Sequence, residues 1–130
     1  MYSHIFVGVT DFERAFAFYQ PVMATLGLEL RFKENHKPWA AWHSADGNRP
    51  FFIISCPFDG ETHVPGNGQM TAFLAASRNQ VNEVYRAAIA AGAHSEGLPG
   101  LRPEYHPHYY GAYFRDLDGN KLAVACHRES

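Results

Sequence analysis

Residues 116–127 read DLDGNKLAVACH and residues 46–55 read DGNRPFFIIS. Each contains an Asp-Gly-Asn turn, then a basic residue, then an apolar run: Asp118-Gly119-Asn120 before Lys121, and Asp46-Gly47-Asn48 before Arg49. Glycine takes the backbone angles of a tight turn without steric cost, and the flanking Asp and Asn oxygens bond their own backbone. Each stretch therefore closes one strand and opens the next, Phe51 to Ser55 in one case and Leu122 to Cys126 in the other.

Upstream of both turns the same order of signals recurs. Ile5, Val7 and Val9 alternate with His4, Phe6 and Gly8, the period of a strand. Thr10-Asp11 then offers capping oxygens, Phe12, Ala15, Phe16, Tyr19, Val22 and Met23 fall at helical spacing, and Gly27 ends the helix. Pro21 inside that pattern predicts a kink or a break. Leu28 to Lys33 and Trp39 to Ser44 read as the next strands. In the second half, Gln69 to Ala75 reads as a strand, and Ser77-Arg78-Asn79 opens a helix bearing Val81, Val84, Tyr85, Ala88 and Ile89, which Gly92 ends. A long Gly/Pro/aromatic segment follows, then a strand over Ala112 to Arg115. The halves superpose with His4 on Met70, Asp11 on Ser77 and Phe18-Tyr19 on Val84-Tyr85.

The repeat predicts an α+β fold of two βαβββ modules, about 1–64 and 69–130, joined by the linker Pro65-Gly66-Asn67-Gly68 at 65–68. Neither module is large enough to close a core alone, so both belong to a single domain over 1–130, sharing a curved mixed sheet with a helix outside each half. Of the 130 residues, 46% are hydrophobic and 15% aromatic, enough for a core and a lined pocket. The net charge of −2 and the lack of any basic stripe argue against nucleic acid and an anionic membrane surface as partners. No bilayer-spanning run or signal segment is present, so the expected location is cytoplasmic. Cys56 and Cys126, without CxxC spacing, read as reduced core thiols.

Three segments, HIFVGVTD at residue 4, GQMTAFLA at residue 68 and YFRDLDGNKLAV at residue 113, resemble the vicinal oxygen chelate superfamily, which includes glyoxalase I, bleomycin-resistance proteins, fosfomycin-resistance enzymes and extradiol dioxygenases. The resemblance implies four positions that in metal-using members hold a divalent ion, which acts as a Lewis acid on substrate oxygens. Carried onto this chain, they fall on His4, on Phe51 or Ile53, on Met70 and on Ala123. Only His4 can coordinate in the usual way, a thioether being a poor ligand for these ions. The terminal-strand glutamate that would also act as base is replaced by Ala123. No metal or other cofactor is therefore expected at these positions, and a glyoxalase mechanism is not supported.

In place of the charged ligands, Phe6, Met70, Ala123 and Ala125 are expected to face inward and to leave a roomier, less polar cavity. Glu104, His106 and His108 would share one side of an extended segment, an alternative metal-ligand spacing. Of Tyr109 and Tyr110, one should enter the cavity and one should pack away from it. Tyr113 and Arg115 continue the side of Tyr109. The expected ligand-binding set is thus Phe6, Met70, Tyr109, Tyr113, Arg115 and Ala123, with His4, His43 and Tyr109 as candidate acid-base groups. These features favour a small-molecule binding protein for an apolar or planar compound, assembled as a homodimer. A lyase- or dioxygenase-like enzyme without metal or with unusual ligands, and a dimerising or regulatory module, are the alternatives.

Overall fold

Asp11 and Ser77 cap the two helices, their side chains accepting hydrogen bonds from the backbone N–H of Arg14 and Gln80. In the computed structural model, which describes residues 1–130, the first half forms β1 (His4–Gly8), α1 (Phe12–Thr25), β2 (Glu29–Glu34), β3 (Trp39–His43) and β4 (Phe51–Ser55). The second half repeats this as β5 (Thr71–Leu74), α2 (Arg78–Ala90), β6 (His94–Leu101), β7 (Tyr110–Arg115) and β8 (Lys121–Cys126). Each half builds a four-stranded mixed sheet, in the orders β1-β4-β3-β2 and β5-β8-β7-β6. The β1–β4 and β5–β8 pairs are parallel and the rest antiparallel. Gly47 and Gly119 take φ of 78° and 85° in the two Asp-Gly-Asn turns, as a turn of this kind requires.

One local expectation is corrected, and one segment left without an element gains a strand. α1 runs unbroken through Pro21 from Phe12 to Thr25. The segment after α2 is partly strand: β6 carries Gly97, Pro99 and Gly100, and register shifts in its pairing with β7 absorb them. Bulged, glycine-rich strands hide the two-residue period on which strand recognition depends.

Side chains of both halves meet in one core. One cluster of 21 buried residues draws Val7, Tyr19, Trp42 and Phe52 from the first half and Val81, Val84, Phe114 and Val124 from the second. The sheet itself is divided. β1 and β5 have no ladder between them, and the halves meet through side chains, such as the Phe52 and Phe73 rings edge to face at 5.0 Å. Because strand side chains alternate, Ile5 and Val7 join this helix-side core and leave His4, Phe6 and Gly8 on the opposite face. No helix is long and apolar enough to cross a membrane.

A polar knot fastens the seam. Asp116 is the one buried polar or charged residue. Its carboxylate accepts from the backbone N–H of Asp118 and Asn120, both at 2.9 Å, from Asn120 Nδ2 at 2.8 Å, and from the Tyr19 hydroxyl of α1. Asn120 Nδ2 also donates to Gly8 O at 2.9 Å, and Thr10 N–H donates to Asp118 Oδ1 at 3.0 Å. Burial, reinforced by the neighbouring Asp116 carboxylate, holds the Tyr19 phenol well above its ordinary pKa.

Tyr19→Phe leaves the carboxylate one donor short and should cost about 1–3 kcal/mol in urea unfolding. The folded phenol keeps its proton where the unfolded one ionises, near pH of about 10. The stability it contributes is intact below that pH and lost as pH rises further. The loss of stability on alkaline titration should therefore be steeper in the native protein than in Tyr19→Phe.

Candidate functional site

The four positions implied by the resemblance do not make a metal centre. His4, at the start of β1, is exposed and hydrogen-bonded to Ser3 Oγ at 3.0 Å. Its ladder partner on β4 is Phe51, whose ring lies under the Arg49 guanidinium at 4.1 Å and near that of Arg31 at 5.5 Å. Phe51 and Ile53 pack with Ala41 into a small apolar cluster. Met70 stands just before β5 and is 46% exposed. One imidazole with a phenyl or alkyl group, a thioether and a methyl does not fit a divalent ion. No three His, Cys, Asp or Glu side chains are gathered closely enough to hold one.

The space expected beside Ala123 is absent. Ala123 has no exposure and Ala125 only 4%. Ala123 sits in the ladder between Ala72 of β5 and Tyr113 of β7. With alanine where the resemblance implies a carboxylate, this part of the sheet is closed and holds no cavity.

Tyr109 and Tyr110 separate as the alternation requires. Tyr110 packs against the core and donates to Asn82 Oδ1 of α2 at 2.8 Å. The Tyr109 and Tyr113 hydroxyls share a hydrogen bond of 2.9 Å. Burial, then the bond from Tyr109, pushes the Tyr113 phenol up to about 12. The Arg102 guanidinium and the Lys121 ammonium lie 5.5 and 5.7 Å from the Tyr113 ring centre. Arg115 is committed elsewhere: it pairs with Glu96 at 2.6 Å and donates to Gly119 O at 2.9 Å. That bond holds the Glu96 carboxyl below its usual range.

The extended arrangement of Glu104, His106 and His108 is overturned. The chain turns at Arg102–Tyr105 and again at His106–Tyr109, through N–H to carbonyl bonds of 3.0 and 3.2 Å. His106 meets His127, Nε2 to Nδ1, at 2.8 Å, and His108 approaches Glu129 at 3.6 Å. Glu104 joins neither pair. Two prolines favour extended backbone locally but do not prevent turns between them.

Two cavities lie along the seam. The smaller, about 110 Å³, is lined by Phe6 and Met70 together with His63, Gln69, Asn120 and Lys121. Here His63 Nε2 meets Asn120 Oδ1 at 2.7 Å. A Cβ on Gly8 would overlap the His63 ring, so glycine inside a strand marked a close approach. The larger, about 460 Å³, is an apolar cleft bordered by Ile5, Leu26, Trp42, Phe52, Phe73 and Leu74, among others. His43 and Ser44 supply its polar end. His43 Nδ1 is 2.5 Å from Ser44 O. A carbonyl can only accept, so the neutral ring carries its proton on Nδ1 and keeps Nε2 as an acceptor. Sequence periodicity missed both cavities, because they arise between halves and not along any one strand.

Residues 2–124 match the family model of the Glyoxalase/Bleomycin resistance protein/Dioxygenase superfamily. Among solved structures, a glyoxalase/bleomycin resistance protein from Albidiferax ferrireducens T118 is 34% identical, with a TM-score of 0.84 over 98% of this chain and 99% of that one. A glyoxalase/bleomycin resistance protein/dioxygenase family enzyme from Burkholderia phytofirmans PsJN is 19% identical, with a TM-score of 0.71 over 97% and 98%. A mutant fosfomycin resistance protein, FosX, from Listeria monocytogenes, complexed with Mn(II) and a phosphonic acid, is 18% identical, with a TM-score of 0.69 over 96% and 88%. These last two share the fold alone. No curated protein matches the chain.

With its site closed, Ala123→Glu should not restore a ligand. It should lower the melting temperature by burying a carboxylate without a partner, a cost of about 2–5 kcal/mol. His4→Ala should leave divalent-ion affinity unchanged in calorimetry. A loss of ion binding in that variant would contradict the geometry above.

Proposed function

This chain belongs to the glyoxalase/bleomycin resistance protein/dioxygenase superfamily, and from that membership we propose that it binds a small planar apolar compound in the cleft between its halves. The observation that carries the reading is the cleft itself: about 460 Å³, with nine of its 13 lining residues hydrophobic. Small-molecule sites are usually concave, mostly apolar and supplied with few polar groups. Phe52, Phe73 and Trp42 offer ring edges and faces to a flat ligand, and His43 with Ser44 offers hydrogen bonds at one end. A ligand charged along its body would have to leave water for this apolar wall, at a cost of several kcal/mol on the order of its whole gain.

The reading centres on the cleft and reassigns the earlier candidates. His43 keeps a place in it as the polar anchor. Tyr113 of β7 and Tyr109 just before it belong to a separate aromatic face, and Phe6 and Met70 to the small polar cavity. His4 takes no part.

The reading also includes a homodimer. Leu74 borders the cleft and is 75% exposed, and Leu101 and Tyr105 of the same half are exposed as well. Apolar surface of this kind is covered at interfaces. Light scattering across the micromolar range should report twice the mass of 14.6 kDa, and a monomer throughout would remove this part of the proposal.

Ala72 is an exposed wall residue of the cleft. Ala72→Trp should therefore fill the cleft without disturbing the core, reducing the affinity of a planar fluorescent dye by roughly tenfold or more while leaving the melting profile unchanged. Unchanged affinity with an unchanged profile would mean that the dye binds elsewhere and that the cleft is not the site.

A further inference from the structure

We propose that the small cavity beside His63 is a second binding site, separate from the apolar cleft, and that it takes the carboxylate of a small organic acid on Lys121, Thr71 and Gln69. All three line the cavity, and no Asp or Glu lines it or the wider opening next to it. The other polar side chains there bond elsewhere: His63 to Asn120, Asn120 to Gly8 O and Asp116, and Arg115 to Glu96 and Gly119 O. Lys121 is partly buried and enters none of the chain's ion pairs. Its Nζ has only the Tyr113 ring, 5.7 Å from the ring centre, as a companion. An ammonium drawn partly out of water without a counter-charge favours an anion beside it.

The walls are set before any ligand arrives. Asn120 Nδ2 is already a donor to Gly8 O and Asp116, so Asn120 Oδ1 accepts and His63 Nε2 carries the proton between them. A Cβ on Gly8 would stand 2.2 Å from His63 Nδ1, so that nitrogen too is turned to the wall. A Cβ on Gly66 would stand 2.3 Å from Gln69 Oε1, and glycine in the linker is what lets the Gln69 side chain fold back there. The donors left for a ligand are one ammonium, one hydroxyl and one amide NH₂.

That set matches a carboxylate, which carries one negative charge and only accepts, through two oxygens. A phosphate brings up to two charges and more oxygens, and its sites draw on arginine forks or clustered backbone N–H groups. The Arg115 guanidinium is already occupied by Glu96. The volume of about 110 Å³, at about 30 Å³ for each water-sized group, holds about four heavy atoms. Phe6 and Met70 supply apolar wall for the carbon chain. The wider opening, about 560 Å³, shares Gln69, Met70 and Lys121 with the cavity, so a longer acid can enter head first and leave its tail outside.

The test is titration of the isotope-labelled full chain with sodium propionate, followed by amide NMR, beside sodium chloride at equal ionic strength. Propionate should give saturable shifts centred on Gly66, Gln69, Thr71 and Lys121. Lys121→Met should weaken binding roughly tenfold, Thr71→Val and Gln69→Leu several-fold each, and Ala72→Trp, which fills the apolar cleft, not at all. Shifts that chloride reproduces overturn the proposal, as does propionate affinity unchanged in Lys121→Met. Affinity lost in Ala72→Trp would put the anion in the cleft and overturn the separate site. Inorganic phosphate should bind more weakly than propionate, and tighter binding overturns the assignment to a carboxylate. The chloride and phosphate comparisons use the native chain alone, so they decide even where a variant misfolds.

Discussion

A single carboxylate, that of Asp116, holds the two halves in one arrangement. A charge buried this deeply is tolerated only when donors surround it, and here they come from both sides of the seam: two backbone N–H groups and Asn120 from its own turn, and the Tyr19 hydroxyl from α1. Any displacement of α1 against the last hairpin strips a donor from a buried anion. The apolar core supplies most of the stabilisation but would accept small sliding motions. The knot does not, because hydrogen bonds fail over a few tenths of an ångström and the carboxylate then stands unpaired.

That constraint explains where open space remains. Around Asp116 and Asn120 the seam is tight, leaving only the small polar cavity beside His63. Away from the knot, at the end of α1, the halves are tied by one side-chain bond, from Gln80 Nε2 to Thr25 O at 3.0 Å, and the apolar cleft opens beside β5. The superfamily's metal positions lie on the face away from the helices, and in this chain that face has been given over to ring packing and cation–aromatic contacts around Phe51 and Tyr113. With no ligand set on that face, the concavity whose lining is mostly apolar is the cleft on the seam.

The sequence was most legible where a residue's role is local. The paired Asp-Gly-Asn turns, the Asp11 and Ser77 caps and the two-residue alternation in β1 give the βαβββ repeat directly, because turn geometry and side-chain period act over a few residues. The unsuitability of Phe51, Met70 and Ala123 as ligands was equally plain, since it depends on side-chain chemistry alone. What escaped were properties of juxtaposition. Asn120 looks like a turn former, yet its amide reaches Gly8 across the seam. His127 looks like a frayed end, yet it pairs with a histidine twenty-one positions earlier. Ala123 suggested a vacancy, although it is fully buried in the ladder between Ala72 and Tyr113.

The missing ladder between β1 and β5 gives the molecule an unusual mechanical character. A hydrogen-bonded sheet resists sliding rung by rung and can change register only in whole steps. A joint made of rings, with Phe52 set against Phe73, instead has a continuous compliance set by side-chain volume and rotamer. The width of the cleft is therefore a graded quantity. Substitutions along the joint can retune which molecules fit there while each four-stranded sheet keeps its register, so selectivity and foldedness become separable properties of this chain.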